Sequence, residues 1–351
     1  MKKKKTILIY ADGNPDIATG HLMRCLSIAH AIKSLGGEVQ FAVSDEASEG
    51  LLSSFFTQES RFAIHTLHAD YRKPETGLPG LKRLLTEEDS SPDGSFSCLL
   101  IDSYFVTQPF LEALRPLTRI ALLDDLYAFD YPADLVINYD FAPPEDFYSK
   151  AGTTLLGSAY TPLRVQFSGL TPALRSPVRD ILLSTGGTDA ENVAGKLSEA
   201  LLTVPESDSF RIHVLVGAMY AHWAKLEALA QTQPRLLLHE RVTDMAALMC
   251  ACDLAVSAAG TTLYELCAAG VPSVSFTMAD NQLAVARDME RFAGVPYAGD
   301  VRTTPALTDR LASLLFSLAR EPEKREVLSR SMHAAVDGKG AQRIARRLLT
   351  L

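Results

Sequence analysis

Short apolar runs alternate with helical patterns along nearly the whole chain of 351 residues, and this alternation limits the fold more than any other feature. Each run is rich in β-branched residues or leucine and ends at polar, glycine or proline residues, as buried strands do. In the first part of the chain these runs are TILIY, EVQFAV, FAIHTL, CLLID, RIALLD and DLVIN. Strands that alternate with helices predict a parallel sheet with helices on both faces.

The pattern is interrupted between Ser158 and Asp180, where TPLRVQFSGLTPALRSPV carries three prolines among short polar breaks. A second series of runs follows, consisting of DILLST, RIHVLVG, RLLLHE, DLAVSAAG and VPSVSF. We therefore predict an α/β chain of two doubly wound Rossmann-like domains, at 1–160 and 179–351, joined by a linker at 161–178. Such domains face each other across a cleft, and ligands bind at the carboxyl ends of the strands.

The composition excludes several classes of partner. A formal net charge of −8 disfavours nucleic acid, because the field of the protein repels a polyanion. The basic opening MKKKK runs directly into an apolar strand without the features of a signal peptide, and no run of about 18 apolar residues could span a membrane. The five cysteines are scattered and lack zinc spacing, as expected for reduced core thiols. We expect a cytoplasmic protein, and the sequence leaves its oligomeric state open.

His21 lies where the first loop becomes the first helix. Spacings of three and four define an apolar stripe on this helix, formed by Leu22, Leu26, Ala29, Ile32 and Leu35. The loop from Asp12 to Gly20 follows the carboxyl end of the first strand, so His21 should face a ligand. The positive end of the helix dipole disfavours an imidazolium and suits a general base. The alternative is a polar residue that merely begins a helix.

Two segments of the second domain could bind a diphosphate. Gly186, Gly187 and Thr188 follow a strand and precede a helix, and glycines there let backbone N–H groups approach an anion. A tight turn would explain the same residues, and the dinucleotide fingerprint is absent.

In SAAGTTLYE, Gly260 turns the chain, Thr261 and Thr262 begin a helix, and Glu265 could accept hydrogen bonds from a ribose diol. An ordinary helix start with a glutamate near it is the alternative.

A third polar cluster, Asp280, Asn281 and Gln282, follows the strand VPSVSF and offers donors and acceptors suited to a sugar, although Asp and Asn are also common helix caps. Three such clusters at carboxyl ends of strands in one domain together favour a nucleotide diphosphate sugar. Val242, in HERVTDMAAL, is expected near the base of that nucleotide.

Three segments, ADGNPDIATGHLMRCLSIAHAI, STGGTDAEN and SAAGTTLYELCAAGVPSVSF, resemble the UDP-sugar hydrolases of pseudaminic acid biosynthesis and the related spore coat polysaccharide proteins. The likeness spans nearly the whole chain, and the second domain more distantly resembles the glycosyltransferase that makes lipid II. The resemblance implies the two-domain GT-B fold. It also implies cleavage of UDP-2,4-diacetamido-2,4,6-trideoxy-β-L-altrose to UDP and free sugar, with inversion. A final helix in DGKGAQRIARRLLTL would return to the first domain.

The resemblance also assigns roles to single residues. His21 would activate water, with Tyr104 as a second active-site residue and Asp102 beside it. The nucleotide side would include Gly187, Thr261, Thr262 and Glu265. No metal ion or cofactor is required, because backbone N–H groups can neutralise the developing charge.

The chain departs from the family at Tyr10, where an arginine is usual. Tyr10 is expected to contact the substrate together with Asp12 and Gly20, and Arg24, on nearly the same helix face as His21, could replace the missing arginine. Two other functions use the same residues. One is an inverting glycosyltransferase that uses a UDP-sugar donor, and the other is a UDP-sugar-binding protein without turnover.

Overall fold

The computed structural model describes residues 4–14, 16–17, 19–56, 61–87, 96–205, 209–217 and 219–351. The first three residues of the basic opening, and Pro15 and Ala18 of the loop before His21, lie outside these ranges. Contacts divide the chain into two units, Met1–Val165 with Lys339–Leu351, and Gln166–Gly338. In the described ranges no helix has both the length and the apolar character needed to cross a membrane.

The first unit is built on a parallel sheet whose seven described strands lie in the order β3-β2-β1-β4-β5-β6-β7. The strands are β1 Thr6–Ala11, β2 Glu38–Val43, β3 Ala63–Thr66, β4 Cys98–Asp102, β5 Arg119–Leu123, β6 Leu135–Asn138 and β7 Thr154–Leu156. The helices are α1 Gly20–Ser34, α2 Glu46–Ser54, α3 Leu78–Thr86, α4 Gln108–Leu114 and α12 Gly340–Leu348. Side chains of β1 alternate between two cores, so that Ile7 and Ile9 pack on the α1 side and Leu8 and Tyr10 on the other.

Helix α1 is covered on two sides, by the sheet and by α12. Ile28 and Ile32 are fully buried, and Ile344 of α12 belongs to the same core. Gly36 ends the helix in a left-handed conformation, with φ at 84°. Leu35, assigned to the apolar stripe, is 41% exposed because it lies at the end of the helix, beyond the core.

The second unit has a parallel sheet whose six described strands lie in the order β10-β9-β8-β11-β12-β13. The strands are β8 Asp180–Ser184, β9 Arg211–Leu215, β10 Leu236–His239, β11 Leu254–Ala258, β12 Ser273–Thr277 and β13 Tyr297–Asp300. The helices are α5 Val193–Thr203, α6 Trp223–Thr232, α7 Met245–Cys250, α8 Thr261–Ala269, α9 Leu283–Asp288, α10 Leu307–Arg320 and α11 Pro322–Ala335.

The predicted fold class, two doubly wound parallel-sheet units, is confirmed, and each of the eleven predicted runs overlaps a strand. The boundary between the units falls inside the expected linker 161–178. Residues 339–351 pack with the first unit, because α12 lies against α1 and Arg347 Nη2 donates to Thr153 Oγ1 at 2.9 Å. The sequence patterns missed the edge strands β7 and β13.

We predict that Ile344→Ala lowers the free energy of unfolding by about 2–5 kcal/mol, because it leaves a cavity in the core between α1 and α12. Urea denaturation followed by far-UV circular dichroism measures the change. Arg346→Ala, on the exposed face of the same helix, is the control and should change stability by less than about 0.5 kcal/mol. Equal effects of the two substitutions would show that α12 does not support this core.

Candidate active site

The first candidate site lies at the carboxyl ends of β1 and β4, where Ala11 pairs with Asp102. The strand order changes direction here, since β2 and β3 lie on one side of β1 and β4 to β7 on the other. Loops that leave adjacent strands at such a switch point diverge, and open α/β sheets bind ligands in the resulting crevice. His21 reaches this point from β1 through the loop that precedes α1, and Asp102 is the last residue of β4.

His21 and Asp102 form a buried hydrogen-bonded pair. Nδ1 of His21 lies 2.6 Å from Oδ1 of Asp102, and the two side chains are 3% and 0% exposed. An ionised carboxylate only accepts hydrogen bonds, so at this distance Nδ1 donates its proton to Asp102. Arg24 Nη2 lies 3.1 Å from the same nitrogen, a longer contact in which a protonated Nδ1 cannot accept. In the neutral form of this ring Nε2 keeps its lone pair. No other described residue forms a hydrogen bond with Nε2. The geometry therefore leaves this nitrogen available to accept a proton.

Arg24, one turn after His21 on α1, holds the same carboxylate. Its Nε donates to Asp102 Oδ2 at 2.6 Å, and its Nη2 donates to Asp102 Oδ1. Its Nη1 donates to Asp125 Oδ2 at 2.8 Å and to the Tyr139 hydroxyl at 2.6 Å. The guanidinium thus links α1 to the carboxyl ends of β4, β5 and β6.

The charges of this group stabilise one another. Burial alone would raise the pKa of Asp102, but the charge of Arg24 and the hydrogen bonds from Arg24 and His21 outweigh it and hold that pKa well below its usual range. Burial likewise opposes the charge of Arg24, and Asp102 and Tyr139 raise its pKa well above the ordinary value. Asp102 therefore stays an anion that accepts hydrogen bonds.

Tyr104 lies against the imidazole of this pair. Its ring meets the His21 imidazole edge-on, with the ring centroids 4.3 Å apart, and its side chain is 42% exposed. The structure therefore brings together four predicted residues of the first unit, His21, Arg24, Asp102 and Tyr104.

Tyr10 lies elsewhere. It is fully buried on the face of the sheet opposite α1, and its hydroxyl shares a hydrogen bond of 2.9 Å with Ser44 Oγ. This placement differs from the expected contact with substrate, because alternate residues of a strand point to opposite faces and Tyr10 falls on the core side. Asp12 is buried as well, and accepts from Ser44 N at 2.6 Å and from Ser44 Oγ at 2.7 Å. Gly20 begins α1 with open space around its Cα.

In the second unit the predicted turn at Gly186 to Thr188 follows β8 and is exposed. Gly186 adopts a left-handed conformation, with φ at 82°. The helix that follows does not offer a free anion site, because Asp189 accepts hydrogen bonds from Val193 N and Ala194 N, both at 2.8 Å. A carboxylate of the chain thus occupies the start of α5.

The start of α8 is different. Gly260 precedes this helix without a side-chain cap, and no described residue accepts a hydrogen bond from the backbone N–H of Thr261 or Thr262. Thr261 is exposed, and Glu265 is buried one turn into the helix. Since β8 and β11 pair side by side, this helix start and the turn at Gly186 lie at adjacent strand ends of one sheet.

The remaining predicted residues of the second unit flank these strand ends. Asp280, Asn281 and Gln282 form a 3-10 turn after β12. Asp280 Oδ1 accepts from Arg302 Nη2 at 2.7 Å, and Gln282 Oε1 accepts from Met278 N at 2.8 Å, whereas Asn281 is exposed. Val242 follows β10. In the sheet β9 separates β10 from β8, so Val242 lies on the side of β8 that is opposite β11.

Sequence reasoning missed Asp125, Tyr139, Ser44 and Asp189. Asp125 and Tyr139 directly follow the predicted strands RIALLD and DLVIN, so their positions at carboxyl ends were the available signal. No sequence pattern joined them to Arg24. Among the described residues, no group of three or more His, Cys, Asp or Glu side chains is arranged to hold a metal ion.

The two sheets define the class of the fold. Both units are Rossmann-like parallel α/β domains, as in GT-B glycosyltransferases and UDP-N-acetylglucosamine 2-epimerases. No family model matches the chain.

Three known proteins are similar to this chain. The spore coat polysaccharide biosynthesis protein SpsG of Bacillus subtilis is 26% identical over 349 residues, which cover 96% of this chain and 95% of that protein. The UDP-N-acetylglucosamine–N-acetylmuramyl-(pentapeptide) pyrophosphoryl-undecaprenol N-acetylglucosamine transferase of Xanthomonas axonopodis is 30% identical over 195 residues, 52% of this chain and 44% of the transferase. The crystal structure of Acinetobacter baumannii MurG aligns with a TM-score of 0.68 at 16% identity, over 99% of this chain and 100% of the other.

We predict that Asp102→Asn makes the stability of the protein less dependent on pH. A carboxylate whose pKa is lowered in the folded state stabilises the fold above its unfolded pKa of about 3.9 and loses that contribution as the pH falls through the folded value. The free energy of unfolding, measured by urea denaturation at several pH values, should fall more steeply below about pH 5 in the wild type than in the variant. Parallel curves for the two proteins would contradict the ion pair.

Proposed function

We propose that the chain is a cytoplasmic nucleotide-sugar hydrolase that cleaves the anomeric C–O bond of a UDP-diacetamido-trideoxyhexose. The observation that carries this proposal is the buried pair of His21 and Asp102, which leaves one imidazole nitrogen free beside an exposed tyrosine. An imidazole that is oriented by a carboxylate in this way is typical of a general base. The likeness to the spore coat polysaccharide biosynthesis protein SpsG supports a role in polysaccharide biosynthesis. We extend the proposal to surface polysaccharides or pseudaminic-type acids.

In this reaction His21 Nε2 takes a proton from water. The water oxygen forms a bond to the anomeric carbon, while the bond from that carbon to the diphosphate oxygen breaks and its electron pair leaves with UDP. Attack from the face opposite the leaving group inverts the anomeric configuration. Asp102 stabilises the imidazolium that forms, because it already holds the Nδ1 proton at 2.6 Å.

The second unit supplies the nucleotide site in this proposal. The N–H groups of Thr261 and Thr262 would bind the diphosphate, since they begin a helix and have no acceptor in the described part of the chain. Glu265 would accept hydrogen bonds from the ribose diol. Gly187 would let the backbone approach the phosphates, whereas the start of α5 would not contribute because Asp189 already occupies it.

An inverting glycosyltransferase is the second candidate. The same base would then take a proton from an acceptor hydroxyl instead of water, and the similarity to an N-acetylglucosamine transferase over 195 residues favours this reading. UDP release without any acceptor distinguishes the two reactions, because only the hydrolase turns over under that condition.

We predict that His21→Ala lowers the rate of UDP release by about 10²- to 10⁴-fold, the usual contribution of a general base. The affinity for UDP should stay within about twofold, because the proposed nucleotide site uses residues of the second unit alone. A coupled assay for UDP measures the rate, and calorimetry measures the binding.

His68→Ala is the matched control, since this histidine of the same unit is 74% exposed and lies outside the site. A His21 variant that keeps the wild-type rate would rule out the base. Tight UDP binding by the wild type with no turnover of any UDP-diacetamido-trideoxyhexose would leave only a binding function.

We predict that Glu265→Gln removes the preference for a ribose over a 2′-deoxyribose. The wild type should bind UDP about 10- to 150-fold more tightly than 2′-deoxy-UDP, because a hydrogen bond to a charged acceptor contributes about 1.5–3 kcal/mol. The variant should bind both ligands with similar affinity, as measured by calorimetry. If the variant retains the full preference, the ribose is held by other residues.

A further inference from the structure

Asp125 is a carboxylate of the first candidate site that has an unassigned oxygen. It follows the carboxyl end of β5, the strand next to β4, and its Oδ2 accepts from Arg24 Nη1 at 2.8 Å. No other described residue forms a hydrogen bond with Asp125, so Oδ1 has no partner in that part of the chain. The side chain is 25% exposed. Arg24 therefore fixes the Asp125 carboxylate, and Oδ1 of Asp125 remains free to contact a ligand.

The charges around Arg24 restrict what that ligand can be. One guanidinium serves two carboxylates, Asp102 and Asp125, so the group carries a net negative charge when His21 is neutral. Four of the five N–H donors of Arg24 already point to oxygen atoms of the chain. A diphosphate would meet no free cation in this group and would be repelled by it. The position favours a neutral ligand that brings its own donors.

The atoms left without partners agree with this conclusion. They are His21 Nε2, the Tyr104 hydroxyl and Asp125 Oδ1, and two of the three can only accept a hydrogen bond while the imidazole is neutral. Burial, and next the charge of Asp125, raise the pKa of Tyr104, so its side chain remains a phenol. Each of these three atoms can accept a hydrogen bond, which suits the donors of a sugar.

We propose that Asp125 is a specificity-determining residue, which accepts a hydrogen bond through Oδ1 from one amide N–H or hydroxyl group of the sugar. The proposal rests on the proposed function in that it takes the substrate to be a nucleotide sugar. The proposal goes further than the proposed function because it says which sugars are preferred. A sugar that has no donor at that position would leave the fixed Asp125 carboxylate without a hydrogen bond, and it would bind less tightly.

The test compares Asp125→Asn with the wild type on a UDP-diacetamido-trideoxyhexose and on analogues that each lack one donor of the sugar ring. An asparagine can still accept from Arg24 Nη1, and it replaces the free acceptor with an NH₂ group. For the wild type, removal of the recognised donor should lower kcat/KM by about 10- to 100-fold, mainly through KM. For the variant, kcat/KM on the full sugar should fall by a similar factor, and loss of that same donor should cause no further decrease.

The matched control is Asp134→Asn. Asp134 also pairs with an arginine of the first unit, with Arg119 Nη1 at 2.7 Å, but this pair lies at the opposite end of β5. The control should retain the wild-type ranking of the analogues. Circular dichroism and UDP binding show whether each variant is folded.

Calorimetry separates this inference from the proposed function. If the wild type binds the UDP-sugars but does not release UDP, the hydrolase proposal fails, and the same comparison of analogues is made on Kd instead of kcat/KM. If turnover depends on His21 but Asp125→Asn keeps every ratio between analogues, the function stands and the inference about Asp125 is wrong. If the wild type binds no UDP-sugar at all, both are wrong.

Discussion

The buried ion pair between Arg24 and Asp102 is the interaction on which the candidate active site depends. An uncompensated carboxylate at the end of β4 would be costly, and the guanidinium offsets that cost by donating to both of its oxygens. Arg24 is itself fixed by Asp125 and Tyr139. Four chain segments are therefore joined at one point, and the His21 ring is held by a carboxylate that cannot rotate freely. Buried ion pairs contribute little net stability, so we interpret this one as positioning the imidazole.

The fold was largely predictable from the sequence because buried parallel strands are continuous apolar runs separated by helices. Each predicted run became a strand, and Gly36 ends α1 directly after its predicted apolar stripe. The edge strands β7 and β13 were missed, because an edge strand is only partly covered and needs no apolar run. The association of α12 with the first unit was implied by resemblance and could not be derived from local pattern.

The sequence could place candidate residues at the ends of strands, but it could not show which of these residues form hydrogen bonds with one another. Residues after a strand could be placed at the carboxyl edge, which located His21, whereas Asp102 was implied by the resemblance alone. The hydrogen bond between them depends on β1 and β4 being neighbours. Tyr10 was expected to contact the substrate, but it lies in the core on the face of the sheet opposite α1, because alternate residues of a strand point to opposite faces. The glycines before α5 favoured an anion site there, but the Asp189 carboxylate accepts the hydrogen bonds at the start of this helix. His21 and Asp102 are 81 residues apart in the sequence, whereas Asp189 caps a helix that begins only four residues later.

The most direct test of the account is the tautomer of His21, measured by ¹⁵N nuclear magnetic resonance of the imidazole in the wild type and in Asp102→Asn. We expect the neutral ring of the wild type to carry its proton on Nδ1, with Nε2 unprotonated, and we expect this preference to be lost when the carboxylate is replaced. A neutral ring that carries its proton on Nε2 in the wild type would contradict the account, because the nitrogen proposed to accept the proton from water would already be occupied.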